Sequence, residues 1–145
     1  MIEPHPISKL APTIARGVLA EKGPTVAGRP ESVVIEFPNT DYQLHLRPTG
    51  PVHAEVGKRV LGTIRVEARR IDRVGTGGRY VEPIYGSPRR VQGTIVAIED
   101  GTLIINAGMP IHTTPTAPGQ TVDDFAVGDF VTFAAMPGAT FTEQA

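Results

Sequence analysis

The chain has 145 residues and a mass of 15.5 kDa, and its shares of hydrophobic (40%) and charged (20%) residues are typical of a globular protein. It contains no cysteine, which excludes disulfides, thiolate metal sites and a cysteine nucleophile. The net charge of −1 excludes a chain that is basic as a whole. Residues 1–10 carry no secretion signal and no run reaches the ~18 apolar residues of a membrane helix, which predicts a cytoplasmic protein without membrane contact.

The first half of the chain consists of short β-branched runs of period two that end at Gly, Pro, Asn or Asp, and helical periodicity is nearly absent. Runs 33–37 and 42–47 are separated by turn residues and predict a β-hairpin. Residues 59–71 predict a longer strand with one apolar and one charged face. Because this strand exceeds the usual length, we expect a bend or bulge near Gly62.

The second half continues in the same way. Four more strands are predicted, at residues 80–85, 89–98, 102–106 and 129–135. Asp100-Gly101 predicts a tight hairpin turn, because this dipeptide supplies the positive φ that such turns need. Residues 122–125 predict one helical turn that begins at Thr121, with Asp124 three residues on.

The apolar faces of these strands predict the hydrophobic core. Alternating side chains of a half-buried strand point to opposite faces, so the apolar set must face inward. The residues that we expect to be buried are Val60, Ile64, Val66, Ile95, Ile104, Val131 and Phe133.

The two halves of the chain contain similar segments in the same order. The matched segments are 17–21 with 93–97, 33–35 with 103–105, 44–48 with 111–115, and 54–60 with 125–131. Chance similarity between β-rich strings is the alternative explanation. Four matches in one order favour an internal duplication.

The segments Ala54–Ile64 and Phe125–Val131 both contain Val-Gly followed by Lys or Asp, a tight turn that leads into a strand. They resemble the turn and strand that enter the late part of barrels of the oligonucleotide/oligosaccharide-binding (OB) fold. The resemblance implies an all-β protein of two similar small Greek-key barrels in tandem, sharing an interface and with little or no helix. The lack of a helix between the middle strands leaves a related small barrel or one composite sandwich as alternatives.

This interpretation divides the chain into an N-terminal arm at 1–15, a first β-barrel module at 16–84 and a second at 85–145. Modules of this size bury little surface alone, so we expect them to be unstable separately.

Charge is strongly segregated along the chain. Residues 58–90 carry nine basic and three acidic groups, whereas residues 91–145 carry six acidic and no basic groups. Arginine forms bidentate contacts with phosphate and carboxylate, and tyrosine can stack on bases. The candidate nucleic-acid or partner-binding residues are therefore Arg65, Arg69, Arg70, Arg73, Arg79, Tyr80, Tyr85, Arg89 and Arg90. Acids of the second half, among them Asp124 and Asp129, are expected to compete for these arginines within or between chains.

No residue set carries a catalytic signature, and we expect no cofactor and no metal. The weak metal candidates are His45 and His112, which occupy matching places in the two halves, but no acid lies at a recognised ligand spacing from them. The Gly-rich segment 75–78 is followed by a predicted strand rather than a helix, which favours a plain turn over a phosphate-binding loop.

Three classes of function follow from the sequence. The first is a non-enzymatic β-barrel protein that acts through its surfaces, as a homo-oligomer or with a protein partner of complementary charge. The second is a single-stranded nucleic-acid-binding protein of tandem OB type that uses an Arg/Tyr face. The third is a small-ligand or enzymatic site at the junction of the modules.

Overall fold

The computed structural model describes residues 12–144 and shows an all-β protein, as predicted. The predicted arm at 1–15 lies largely outside the described residues, and Ala15 already belongs to the first strand. The strands are β1 (Ala15–Lys22), β2 (Thr25–Val26), β3 (Arg29–Pro30), β4 (Val33–Glu36), β5 (Gln43–Pro48), β6 (Arg59–Arg73), β7 (Tyr80–Glu82), β8 (Tyr85–Gly86), β9 (Arg90–Glu99), β10 (Thr102–Asn106), β11 (Pro110–Pro115), β12 (Phe130–Ala135) and β13 (Thr140–Glu143).

Helical structure within residues 12–144 is limited to a short 3-10 turn at Val122–Asp124. This is the predicted helical turn, and the Asp124 carboxylate accepts the Thr121 N–H at 2.9 Å, as in a capping box. No helix in this part of the chain is long and apolar enough to span a membrane.

Eleven strands form one mixed sheet, and β2 and β3 form a separate hairpin. Within the sheet, a first closed circuit of paired strands contains β1, β4, β5, β13 and β6. β1 pairs antiparallel with β4 and β6, and β4 pairs antiparallel with β5. β13 closes this first circuit, because it pairs parallel with β5 and antiparallel with β6.

A second circuit contains β9, β10, β11, β6 and β12. β10 pairs antiparallel with β9 and β11, and β11 pairs parallel with β6. β12 closes the circuit through antiparallel pairing with β6 and β9. The first residues of β6 pair with β1 and its later residues pair with β11 and β12, so β6 belongs to both circuits. Each circuit therefore contains strands from both sides of residue 84.

The long strand β6 has a bulge, at a different place from the one predicted. Phe133 of β12 pairs with Ile71 and Ala135 pairs with Ala68, so Arg69 and Arg70 together oppose the single residue Ala134. Gly62 lies instead in a regular part of the strand, where a side chain would overlap the ring of Phe141.

The core is built from the inward faces of both circuits. All seven residues predicted to be buried are at most 2% exposed, which confirms their burial. Six of them belong to the main core cluster, whereas Ile104 is buried outside it and its neighbours Leu103 and Ile105 face the core. Leu19, Leu44 and Phe141 add large side chains that are also fully buried. The alternation of buried and exposed positions along β6 changes phase at its bulge, which leaves both Arg69 and Arg70 exposed.

The sequence-matched turns before β6 and β12 make the same backbone contacts. The Gly57 N–H donates to Leu19 O at 2.7 Å and Leu19 N–H donates to Lys58 O at 2.9 Å. In the matching turn before β12, the Gly128 N–H donates to Ile95 O at 2.8 Å and the Ile95 N–H donates to Asp129 O at 2.9 Å. Both glycines have positive φ, 89° and 99°, which a glycine adopts without strain.

Two matched glycines in β1 and β9 also have the same surroundings. A side chain at Gly17 would overlap the backbone oxygen of Glu36, and one at Gly93 would overlap that of Asn106. Each strand also has a register shift at the same distance after its glycine. The shift lies between Leu19 and Glu21 in β1 and between Ile95 and Ala97 in β9. The matched segments therefore pair with their neighbours in the same register.

Candidate basic surface

The bulge in β6 places two of the predicted site residues on the outer surface. Arg69 and Arg70 are exposed, whereas Ala68 and Ile71 on either side of them are buried. A bulge lets consecutive side chains point to the same side of a sheet, which regular alternation would forbid. The pairing of β6 with β12 therefore brings the side chains of Arg69 and Arg70 together on the outer surface.

A third arginine lies at the same level of the sheet. Ala134 of β12, which faces the bulge, pairs with Arg90 of β9, and Arg90 pairs in turn with Glu82 of β7. Neighbouring strands are about 4.8 Å apart, so the β6 arginines and Arg90 are separated by roughly 10 Å across β12. We call Arg69, Arg70 and Arg90 the arginine row.

Two arginines of the basic stretch are paired along their own strand. Arg65 Nε lies 3.5 Å from Glu67 and Arg70 Nε lies 3.1 Å from Asp72. All four side chains are well exposed, at 40% or more, so each pair contributes little to stability. Arg65 also donates to the Thr102 hydroxyl at 3.4 Å, which holds it against β10 and away from the arginine row.

Arg73 makes the one ion pair within residues 12–144 that joins the basic stretch to the acidic second half. Its Nε donates to Asp129 at 3.1 Å, its guanidinium also donates to the Asp124 carbonyl, and it stacks 5.0 Å from the centre of the Phe125 ring. Asp129 also accepts the Ala126 N–H at 2.9 Å. This backbone hydrogen bond and the Arg73 charge hold the pKa of Asp129 below its ordinary value, and partial desolvation opposes them.

The remaining arginines among the predicted site residues are not neutralised. Within the described residues, Arg69, Arg79, Arg89 and Arg90 are exposed and none has a carboxylate within 4.0 Å. Arg89 directly precedes Arg90, the first residue of β9. The structure therefore divides the predicted arginines into those with a carboxylate partner and those without one among the described residues.

The two predicted tyrosines lie apart. Tyr80 of β7 pairs with Gln92 of β9, one step along the outer face from Arg90, and is partly buried. Tyr85 lies in β8 beside β5, is 58% exposed and packs edge-on against the ring of His45 at 4.6 Å. Only Tyr80 is therefore near the arginine row.

The histidines His45 and His112 occupy matching positions in the two circuits. His45 pairs with Val34 in the first circuit, as His112 pairs with Ile104 in the second. The His112 Nε2 lies 2.7 Å from the Thr13 carbonyl, whereas the buried Nε2 of His45 has no partner in the described part of the chain. No group of three or more metal-ligating side chains occurs among residues 12–144.

Two glutamines that the sequence did not single out hold the loops around the arginines. The Gln92 side chain donates to Gly78 O at 2.8 Å and fixes the Gly-rich turn as a plain turn. Gln120 binds both the N–H and the carbonyl of Ile71, each at 2.8 Å, and so attaches its loop to β6. Nothing in a single sequence distinguishes these side chains from other surface amides.

Comparison with known proteins adds no assignment: no family model matches the chain, and no curated protein or solved structure is significantly similar to it.

Proposed function

We propose that this protein is a non-enzymatic binding protein that acts through its surface, with the arginine row as the contact for an acidic protein surface. The observation that carries the proposal is the pair of exposed arginines without a carboxylate partner in residues 12–144, Arg69 and Arg90, which lie roughly 10 Å apart across β12 on one sheet face. Guanidinium groups in this state bind carboxylates well, because no internal ion pair has to be broken first.

The architecture that we propose for this surface is two OB-like barrels in tandem. The support is the pair of closed five-strand circuits and the equal registers of the matched segments. In this arrangement β6 runs from the first barrel into the second, and β13 returns from the second half to complete the first. The exchange of strands makes the two barrels one rigid carrier for the arginine row.

A second copy of the chain supplies a suitable acidic surface. Glu99 and Asp100 are exposed at the far end of β9, and neither has a cationic partner within 4.0 Å among the described residues. Arg90 begins the same strand, so the two charges are separated by about 30 Å of strand at 3.3 Å per residue. This exceeds the Debye length of about 8 Å at physiological ionic strength, so the charges meet more effectively between copies than within one.

Charge reversal tests this proposal. Sedimentation of the parent chain should show a mass above that of the monomer at low salt and a monomer at high salt. Arg69→Glu/Arg90→Glu should remain monomeric in both. The matched control is Arg47→Glu/Arg59→Glu, which changes the charge equally at exposed strand positions of β5 and β6 away from the arginine row. A parent that is monomeric at all salt concentrations, or a row variant that assembles like the control, would contradict self-assembly.

A second candidate function is binding of single-stranded nucleic acid, and the position of Tyr80 beside Arg90 favours it. A base could stack on the tyrosine while phosphates contact the arginines. Such binding is steeply salt-dependent. Tight binding of a fluorescent single strand at ~150 mM salt, lost in Arg69→Ala/Arg70→Ala, would favour this function over protein assembly.

A further inference from the structure

An open cavity of about 430 Å³ lies between strands of the two circuits. It is bordered by the start of β1, the turn after β4, the middle of β9 and the turn between β10 and β11. Residues from both sides of the chain's midpoint therefore line it. Clefts of this size between structural units are common binding sites for small molecules.

The β9 bulge shapes one wall of this cavity. Ile104 pairs with Ala97 and Ile105 pairs with Ile95, so Val96 is the extra residue on β9. Val96 is consequently turned outward, is 37% exposed and lines the cavity. The matching extra residue in the β1 bulge is Ala20.

Among residues 12–144, the cavity is lined by a single charged side chain, that of Arg16. Arg16 is partly buried in β1, and no carboxylate of residues 12–144 lies within 4.0 Å of it. A guanidinium that is partly removed from water and has no counter-ion favours an anion beside it. The amide side chains of Asn39 and Asn106 add hydrogen-bonding groups at the same rim.

The other walls are apolar. Ile14 and Val96 contribute accessible aliphatic surface, prolines complete the lining, and the core residues Phe37 and Met109 form its floor. An inorganic anion would leave this surface in contact with water. A ligand with a charged head and an apolar body would satisfy both parts of the cavity.

We propose that this cavity binds a small organic carboxylate, with its carboxylate at Arg16 and its apolar body against Ile14 and Val96. The site is independent of the arginine row, because the two share no residue. Arg16 acts as the specificity-determining residue, since it is the one lining residue in the described part of the chain that carries a positive charge.

Titration of the full chain with octanoate, octanol and acetate, followed by amide chemical shifts, tests the proposal. Octanoate should bind saturably with a dissociation constant of about 1 mM or lower, which is the range for a ligand of its size. The shifts should be centred on Arg16, Asn39 and Asn106. Octanol lacks the charge and acetate lacks the apolar body, so each should bind at least about tenfold more weakly. Equal affinities for octanoate and octanol, or no saturation by octanoate, would overturn the proposal.

Variants locate the site. Arg16→Gln should weaken octanoate binding by about tenfold or more and leave octanol binding unchanged, because only the charge-assisted contact is lost. The matched control Arg47→Gln, at an exposed position of β5, should bind octanoate like the parent.

A second variant keeps the test decisive if Arg16→Gln does not fold. Val96→Trp places a large side chain in the cavity from an exposed position, so the fold should tolerate it. It should abolish octanoate binding. Parent-like octanoate affinity in either folded variant would refute the assignment of this cavity as the site.

Discussion

The substitution Phe141→Ala tests how β13 completes the first circuit. Phe141 is 1% exposed and lies beside Pro48 of β5 and Ile64 of β6 in the sheet. Its ring occupies the space that a side chain at Gly62 would need. We expect its removal to lower the free energy of unfolding by about 3–5 kcal/mol, the range for buried Phe→Ala substitutions. For a domain of this size, this corresponds to a Tm decrease of roughly 6–20 °C.

Urea unfolding followed by circular dichroism measures this loss, and amide hydrogen exchange shows where it acts. Because β13 pairs with β5 and β6, protection should fall first in these strands, although they lie far from residue 141 in sequence. Gln144→Ala, at an exposed position just after β13, is the control and should change stability by no more than about 0.5 kcal/mol. A Phe141→Ala protein within about 1 kcal/mol of the parent, or with unchanged exchange in β5, would refute the role of β13.

Three further results are expected. Ile64→Ala should cost about 2–4 kcal/mol in urea unfolding, because Ile64 is fully buried in β6, and an unchanged unfolding midpoint would contradict this. Residues 85–145 expressed alone should show no cooperative thermal transition, since they lack β6, which closes their circuit; a parent-like transition would disprove the need for it. The lowered pKa of Asp129 means that its carboxylate stabilises the fold above the unfolded-state pKa of about 4, and that this contribution is lost as the pH falls through the lower folded-state value. The stability difference between the parent and Asp129→Asn should therefore be constant at neutral pH and shrink in acid, and a difference that grows below pH ~4 would contradict this assignment.

The β character and the core of this protein could be predicted from the sequence because both depend on local pattern. Alternation of apolar and polar residues determines which side chains share a strand face, whatever that strand pairs with. Val60, Ile64 and Val66 were placed correctly on this basis, and so was the turn at Val122–Asp124. The sequence match between halves also picked out Gly57 and Gly128, which make equivalent backbone hydrogen bonds.

The candidate surface was only partly predictable. The charge count along the chain identified the arginines of the basic stretch, but not which of them are paired. Arg73 is neutralised by Asp129 because β6 and β12 are neighbours, and Arg69 and Arg70 are exposed together because the bulge lies opposite Ala134. Both facts follow from the register between distant strands.

By itself, the sequence determined the secondary-structure class, the inward faces of the strands and the polarity of charge, since each is encoded within a few neighbouring residues. Only the tertiary structure decided that β6 enters both circuits and that β13 returns to β5. It also decided that Arg16 lies in a cavity between strands of the two circuits. These features arise from pairings between residues far apart in the chain. Such pairings depend on which closed set of strands buries the most apolar surface, and no local pattern specifies that choice.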